Sequence, residues 1–126
     1  MEKILLVDDE PTIRNLCQRI LELGGYSVMS AAGGEEALRL AQKDPASIDL
    51  ALLDVVMPIM NGKQLAERLR ALNPDINVVL MTGYTLGEIR EIVGEKNPYR
   101  IIWKPFKTES LLRMIENALR PSSTSI

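Results

Sequence analysis

With 126 residues, 46% of them apolar and 25% charged, the chain has the length of one domain and the composition of an ordinary globular protein. A net charge of −2 gives no basic footprint for nucleic acid or an anionic membrane surface. Histidine is absent, which excludes Ser-His-Asp and Cys-His catalysis, most zinc sites and service as a phosphohistidine carrier. No apolar run approaches the ~20 residues of a membrane span, and the chain enters a strand pattern with no signal peptide ahead of it, so a cytoplasmic location is expected.

In chain order, Ile4–Val7 is continuously apolar, the habit of a strand buried on both faces of a parallel sheet. Residues 11–23 place Pro11 in a first turn and stop at Gly24-Gly25, signals of the right polarity for a helix. The single cysteine, Cys17, keeps step there with Ile13, Leu16 and Ile20 and reads as core packing. Residues 26–31 alternate, as an edge strand with one wetter face would. A helix over 35–43 carries Ala37, Leu38 and Ala41 and stops before Pro45. Leu50–Leu53 is a second buried run, followed by a helix over 63–72 with Leu65, Leu69 and Leu72 together. Val78–Met81 is a third. The helix over 86–94 has few anchors, Ile89, Ile92 and Val93, broken by Gly87 and Gly94, which predicts a mobile segment. Ile101–Trp103 is a short last strand, and 107–119 a helix with Leu111, Leu112, Ile115 and Leu119 on one side.

Strands alternating with helices imply an α/β domain with a parallel sheet and right-handed crossovers. The alternating second strand belongs at an edge, so the expected order is 2-1-3-4-5. The domain is expected over residues 1–120, with 121–126 a frayed end or the start of a linker.

Ligands of open α/β sheets bind beyond the carboxyl ends of the strands, at the switch point of the strand order. There this sequence delivers Asp8-Asp9-Glu10, Asp54, Thr82-Gly83 and Lys104-Pro105, from four strands. Singly each is an ordinary turn or cap. Jointly, three carboxylates repel one another and raise their own pKa values unless a cation sits among them. Hard oxygen donors without His or Cys point to Mg²⁺ or Mn²⁺. A lysine and a hydroxyl beside the metal suit the remaining oxygens of a phosphoryl group.

Val7-Asp8-Asp9, Leu53-Asp54 with Met57-Pro58 and Asn61-Gly62, Thr82-Gly83 and Lys104-Pro105-Phe106 together resemble the receiver domains of response regulators in two-component signalling, from residue 3 to about 120. Met81-Thr82-Gly83-Tyr84 and Trp103-Lys104-Pro105-Phe106 are further similar to receivers appended to hybrid sensor kinases. The resemblance implies a flavodoxin-like (βα)5 doubly wound fold with helices on both faces. It implies that Asp54 is phosphorylated from a phosphohistidine on a sensor histidine kinase or a histidine phosphotransfer protein. Asp9, Asp54 and the Val56 carbonyl would bind Mg²⁺, with Asp8 acting through a metal-bound water. Thr82 would hydrogen-bond the phosphoryl group, and Lys104 would pair with it, and with Asp54 at rest. A cis Lys104-Pro105 bond, a signalling rather than an enzymatic role, and a phosphorylation-dependent homodimer are also consistent with the family.

One position departs from the family pattern: Ile101 stands where a switching Tyr or Phe is usual, with Trp103 read onto the alternate face. A receiver that only binds partners, without phosphorylation, is therefore the alternative reading. A flavodoxin-like electron carrier fits poorly, because Asp8-Asp9-Glu10 would repel a flavin phosphate. A P-loop hydrolase fails for want of GxxxxGK[ST], and Val56 stands where a phosphatase would need its second carboxylate.

Overall fold

The computed structural model describes residues 1–94 and 96–121. Among them the order is β1 (Lys3–Val7), α1 (Pro11–Leu23), β2 (Ser27–Ala31), α2 (Gly34–Lys43), β3 (Leu50–Asp54), α3 (Gly62–Leu72), β4 (Asn77–Thr82), α4 (Leu86–Val93), β5 (Arg100–Trp103) and α5 (Thr108–Leu119). A 3₁₀ turn at Pro45–Ser47, which no periodicity announces, precedes β3. The strands form one parallel sheet in the order β2-β1-β3-β4-β5, as expected. Apart from Pro121, the tail read as a frayed end or linker lies outside the described residues.

Alternate side chains of the apolar runs feed two cores. Leu5, Val7, Ala51, Leu53, Val78 and Leu80 pack with Ala37, Ala41, Leu65, Leu69, Ile89 and Val93, which puts α2, α3 and α4 on one face. Ile4, Leu6, Leu50, Leu52, Val79 and Met81 pack with Cys17, Ile20, Leu21, Leu111 and Ile115 beneath α1 and α5. The residues of β3 are all buried, and each fully buried aliphatic side chain stabilises the fold by roughly 1.5–3 kcal/mol. Side-chain caps start three of the helices. Glu10 accepts from the Ile13 amide, while Asn61 with Gln64 and Thr85 with Glu88 form reciprocal capping boxes.

Three readings need correction. Leu16 does not join Cys17 in the core but is 51% exposed. Ile13, Cys17 and Ile20 follow the i, i+4, i+7 stripe, and Leu16 falls to its flank. Strand β2 does sit at an edge, yet Ser27 to Ser30 are evenly half-buried rather than alternating, because α1 and α2 each overhang one of its faces. Trp103 is not on the face opposite Ile101. Ile101 packs against the α2–α4 core and Ile102 into the other, so two-residue alternation returns Trp103 to the side of Ile101.

Candidate functional site

The ends of the three central strands meet at one rim of the sheet. Asp54 is the last residue of β3 and Thr82 the last of β4, rather than the first residues beyond them. The β3–β4 register places Asp54 next to Met81, and the β4–β5 register places Thr82 next to Trp103, one residue before Lys104. Asp8 and Asp9 follow β1 directly. Carboxylate oxygens of Asp8, Asp9 and Asp54 lie within 4.8 Å of one another. Asp8 and Thr82 are fully buried and Asp54 nearly so, whereas Asp9 is exposed at the mouth.

Lys104 reaches this cluster from β5. Its Nζ donates to Asp8 Oδ2 at 2.9 Å and lies 3.6 Å from Asp54 Oδ1. Lys104 thus pairs with Asp54, as expected, but its shorter, hydrogen-bonded contact is to Asp8. Burial pulls the Lys104 ammonium down, but the Asp8 hydrogen bond and the charges of Asp54 and Asp8 outweigh it and hold the pKa above the usual lysine value. Asp54 is pushed up to about 6. Burial is the largest cause, ahead of repulsion by Asp8 and Asp9; Lys104 and a hydrogen bond from the Val56 backbone oppose the rise. Desolvation thus outranks the carboxylate repulsion expected from the sequence. The Lys104-Pro105 peptide is cis.

The backbone around the cluster is fixed by Arg14, which the sequence does not single out, and by contacts of Glu10 and Gly62 that it does not specify. Arg14 Nη1 donates to the Asp8 carbonyl at 2.7 Å, and the Glu10 amide donates to Asp8 Oδ1 at 2.9 Å. Arg14 left no signal, because its partner is a main-chain carbonyl. Gly62 lies against the strand-3 rim, its amide donating to the Val55 carbonyl at 2.8 Å. A Cβ there would press into the Asp54 carbonyl, with Asp54 C and Val55 Cα at 3.0 Å. Val56 itself is part-exposed in the loop between β3 and α3. Beneath the site Cys17 is buried, and that burial, reinforced by Asp8, raises its thiol to about 11, so it is packing rather than chemistry.

Three carboxylates open to solvent on one side, with no nitrogen or sulfur donor among them, fit a hard divalent cation. The half-buried ammonium and the hydroxyl beside them can hold a tetrahedral oxyanion against that cation.

The chain belongs to the response regulator receiver domain family, whose sequence model matches residues 4–116. It is 32% identical over 119 residues to the response regulator receiver protein CpdR of Brucella abortus (strain 2308), covering 94% of this chain and 98% of that protein. It is 33% identical over 116 residues to the sensor kinase CckA of the same organism, where the match covers 92% of this chain but only 12% of the kinase. The response regulator TrrA of Thermotoga maritima, solved in complex with Mg²⁺ and BeF, superimposes with a TM-score of 0.82 at 32% identity, over 94% of this chain and all (100%) of that one. The fold is that of a receiver in two-component signalling. No helix among the described residues is long and apolar enough to cross a membrane.

Proposed function

We propose that this receiver accepts a phosphoryl group onto Asp54 from a phosphohistidine donor, either a sensor histidine kinase or a histidine phosphotransfer protein. One observation carries the reading: Asp54, 8% exposed, sits at a strand end inside an acidic triad with the Lys104 ammonium 3.6 Å away. The likeness to CpdR and to part of CckA supports a kinase-linked donor.

In the transfer, an Asp54 oxygen attacks phosphorus in line as the N–P bond of the donor breaks. The freed imidazole nitrogen takes the electron pair, and the product is an acyl phosphate. Lys104 moves from Asp8 toward the new phosphoryl oxygens, and Thr82 donates its hydroxyl proton to one of them. Asp9, Asp54 and the Val56 carbonyl would hold Mg²⁺, with Asp8 engaged through water, and the bound cation supplies the positive charge that lets an anion approach three carboxylates. The alternative of a receiver that only docks partners draws no support from this site, where the acids, hydroxyl and lysine are all assembled.

Incubation with acetyl phosphate and Mg²⁺ should add one phosphoryl group to the intact mass, and Asp54→Asn or chelation should abolish the gain. Persistence of the added mass in Asp54→Asn would sink the assignment.

A further inference from the structure

Beside the acidic triad, the rim holds a closed circuit of contacts that the transfer chemistry does not use. Thr82 Oγ1 accepts the backbone N–H of Tyr84 at 3.0 Å. The Tyr84 carbonyl accepts the indole Nε1–H of Trp103 at 3.0 Å. Trp103 is in turn the strand partner of Thr82, and the next amide, Lys104 N–H, donates to the Thr82 carbonyl at 2.7 Å. Both polar groups of the Tyr84 backbone are thus taken by side chains, although Tyr84 lies in an exposed loop where water could serve either. Trp103 is 42% exposed, so its ring is left half in water while its one polar atom is turned inward.

We propose that Trp103 is a positioning residue for Thr82, acting through the backbone of Tyr84; the inference rests on the role given to Asp54 above. A hydroxyl carries one proton and two lone pairs. With the Tyr84 N–H on one lone pair, the Thr82 Oγ1 is held as an acceptor from the loop, and its proton remains free to donate to a phosphoryl oxygen. That arrangement holds only while Tyr84 is held, and among the described residues the side chain that holds its carbonyl is Trp103. The circuit also runs the other way. A phosphoryl group that draws Thr82 inward displaces the Tyr84 peptide and loads the indole bond, so the occupied site is expressed at a surface tryptophan on the edge strand. Coupling of this kind is reciprocal.

Trp103→Phe keeps an aromatic ring and removes the N–H. In metal-free protein the Tyr84 amide should then exchange with solvent about two- to ten-fold faster, the range that one net hydrogen bond spans, while amides of β1 and β3 keep their protection. With acetyl phosphate and Mg²⁺, the rate of phosphoryl gain should fall by a similar factor at unchanged Mg²⁺ affinity. In the reverse direction, Thr82→Val keeps the side-chain shape and removes the acceptor, and the emission of Trp103, the sole tryptophan, should shift. Unchanged Tyr84 exchange in Trp103→Phe overturns the proposal. So does faster exchange with a wild-type transfer rate, which would leave Trp103 a loop tether only. Should Trp103→Phe fail to fold, the Thr82→Val emission decides, and an unshifted spectrum counts against the circuit. A wild-type protein that gains no phosphoryl group strikes the role of Asp54 instead, an outcome separable because Trp103→Phe is read against wild type.

Discussion

Asp54 makes the metal-free protein less stable at neutral pH than it would be without the charge. The carboxyl has a pKa of 3.8 when solvated and about 6 in the fold, with burial the main cause. The sign follows from proton binding. Between about pH 4 and pH 6 the folded chain keeps a proton on Asp54 that the unfolded chain has released, so stability falls as pH rises through that window. Above it the full difference is in force, about 3 kcal/mol at 1.36 kcal/mol per pH unit. The side chain is only 11% exposed, so solvent screens little of this. Asparagine has nearly the same shape and no charge to desolvate. Asp54→Asn should match wild type near pH 4 and exceed it by up to about 3 kcal/mol at pH 7, roughly 10 °C in melting temperature for a domain of this size. Urea titrations of both proteins in EDTA, stepped from pH 4 to pH 8, would show it, since acids remote from Asp54 cancel in the difference. A difference that stays flat across pH 4 to 6, or a wild type that gains on the variant there, would refute the argument that burial dominates Asp54.

Saturating Mg²⁺ should reverse that deficit, by about 2.7 kcal/mol at a hundred times its dissociation constant; calorimetry should show the gain shrink as pH falls below about 6, where protons compete for Asp54, and vanish in Asp9→Asn. Gly62→Ala should cost about 1–3 kcal/mol in urea titrations, as its Cβ meets the Asp54 and Val55 backbone rather than a side chain that can turn away. Ile59 has φ 73° in a tight turn closed by the Met60 amide on the Pro58 carbonyl at 2.7 Å, and it is 94% exposed. A β-branched residue is strained there and buries nothing in return, so Ile59→Gly should raise stability by about 1 kcal/mol by the same assay; a loss would mean that Ile59 makes a contact the fold does not show.

The sheet order could be read from the sequence because each central strand is a block of apolar residues and β2 is not. The acids could be read because a strand that ends in Asp delivers it to a known rim. The Lys104 hydrogen bond to Asp8 could not, since Asp8 lies 96 residues away and no local period links them. Proximity to two carboxylates leaves the choice to geometry, which a sequence does not carry. Leu16 was misplaced by treating any apolar residue within the helical repeat as core, whereas α1 buries a narrow stripe and leaves its flank wet. The roles of Arg14 and Gly62 escaped for a shared reason: both act on main-chain atoms, whose positions follow only from the assembled sheet.

The departure at residue 101 falls where the fold can absorb it. Asp8 directly follows β1, Asp54 ends β3 and Thr82 ends β4; each of these strands has a neighbour on both sides, so these groups are held from two directions. Strand β5 has β4 alone, and α4 beside it buries only Ile89 and Val93. Ile101 is packed against that core and, being β-branched, is stiff at χ1, so it cannot carry a signal by swinging. On the role proposed for Asp54, movement transmitted from Thr82 would leave through the exposed loop from Gly83 to Thr85, which is tied to Thr82 and to Trp103 across from it. The proposed acceptor and its readout would in this way be mechanically separable: an isoleucine at 101 in place of an aromatic would change which atoms move without touching the groups proposed to bind the phosphoryl oxygens.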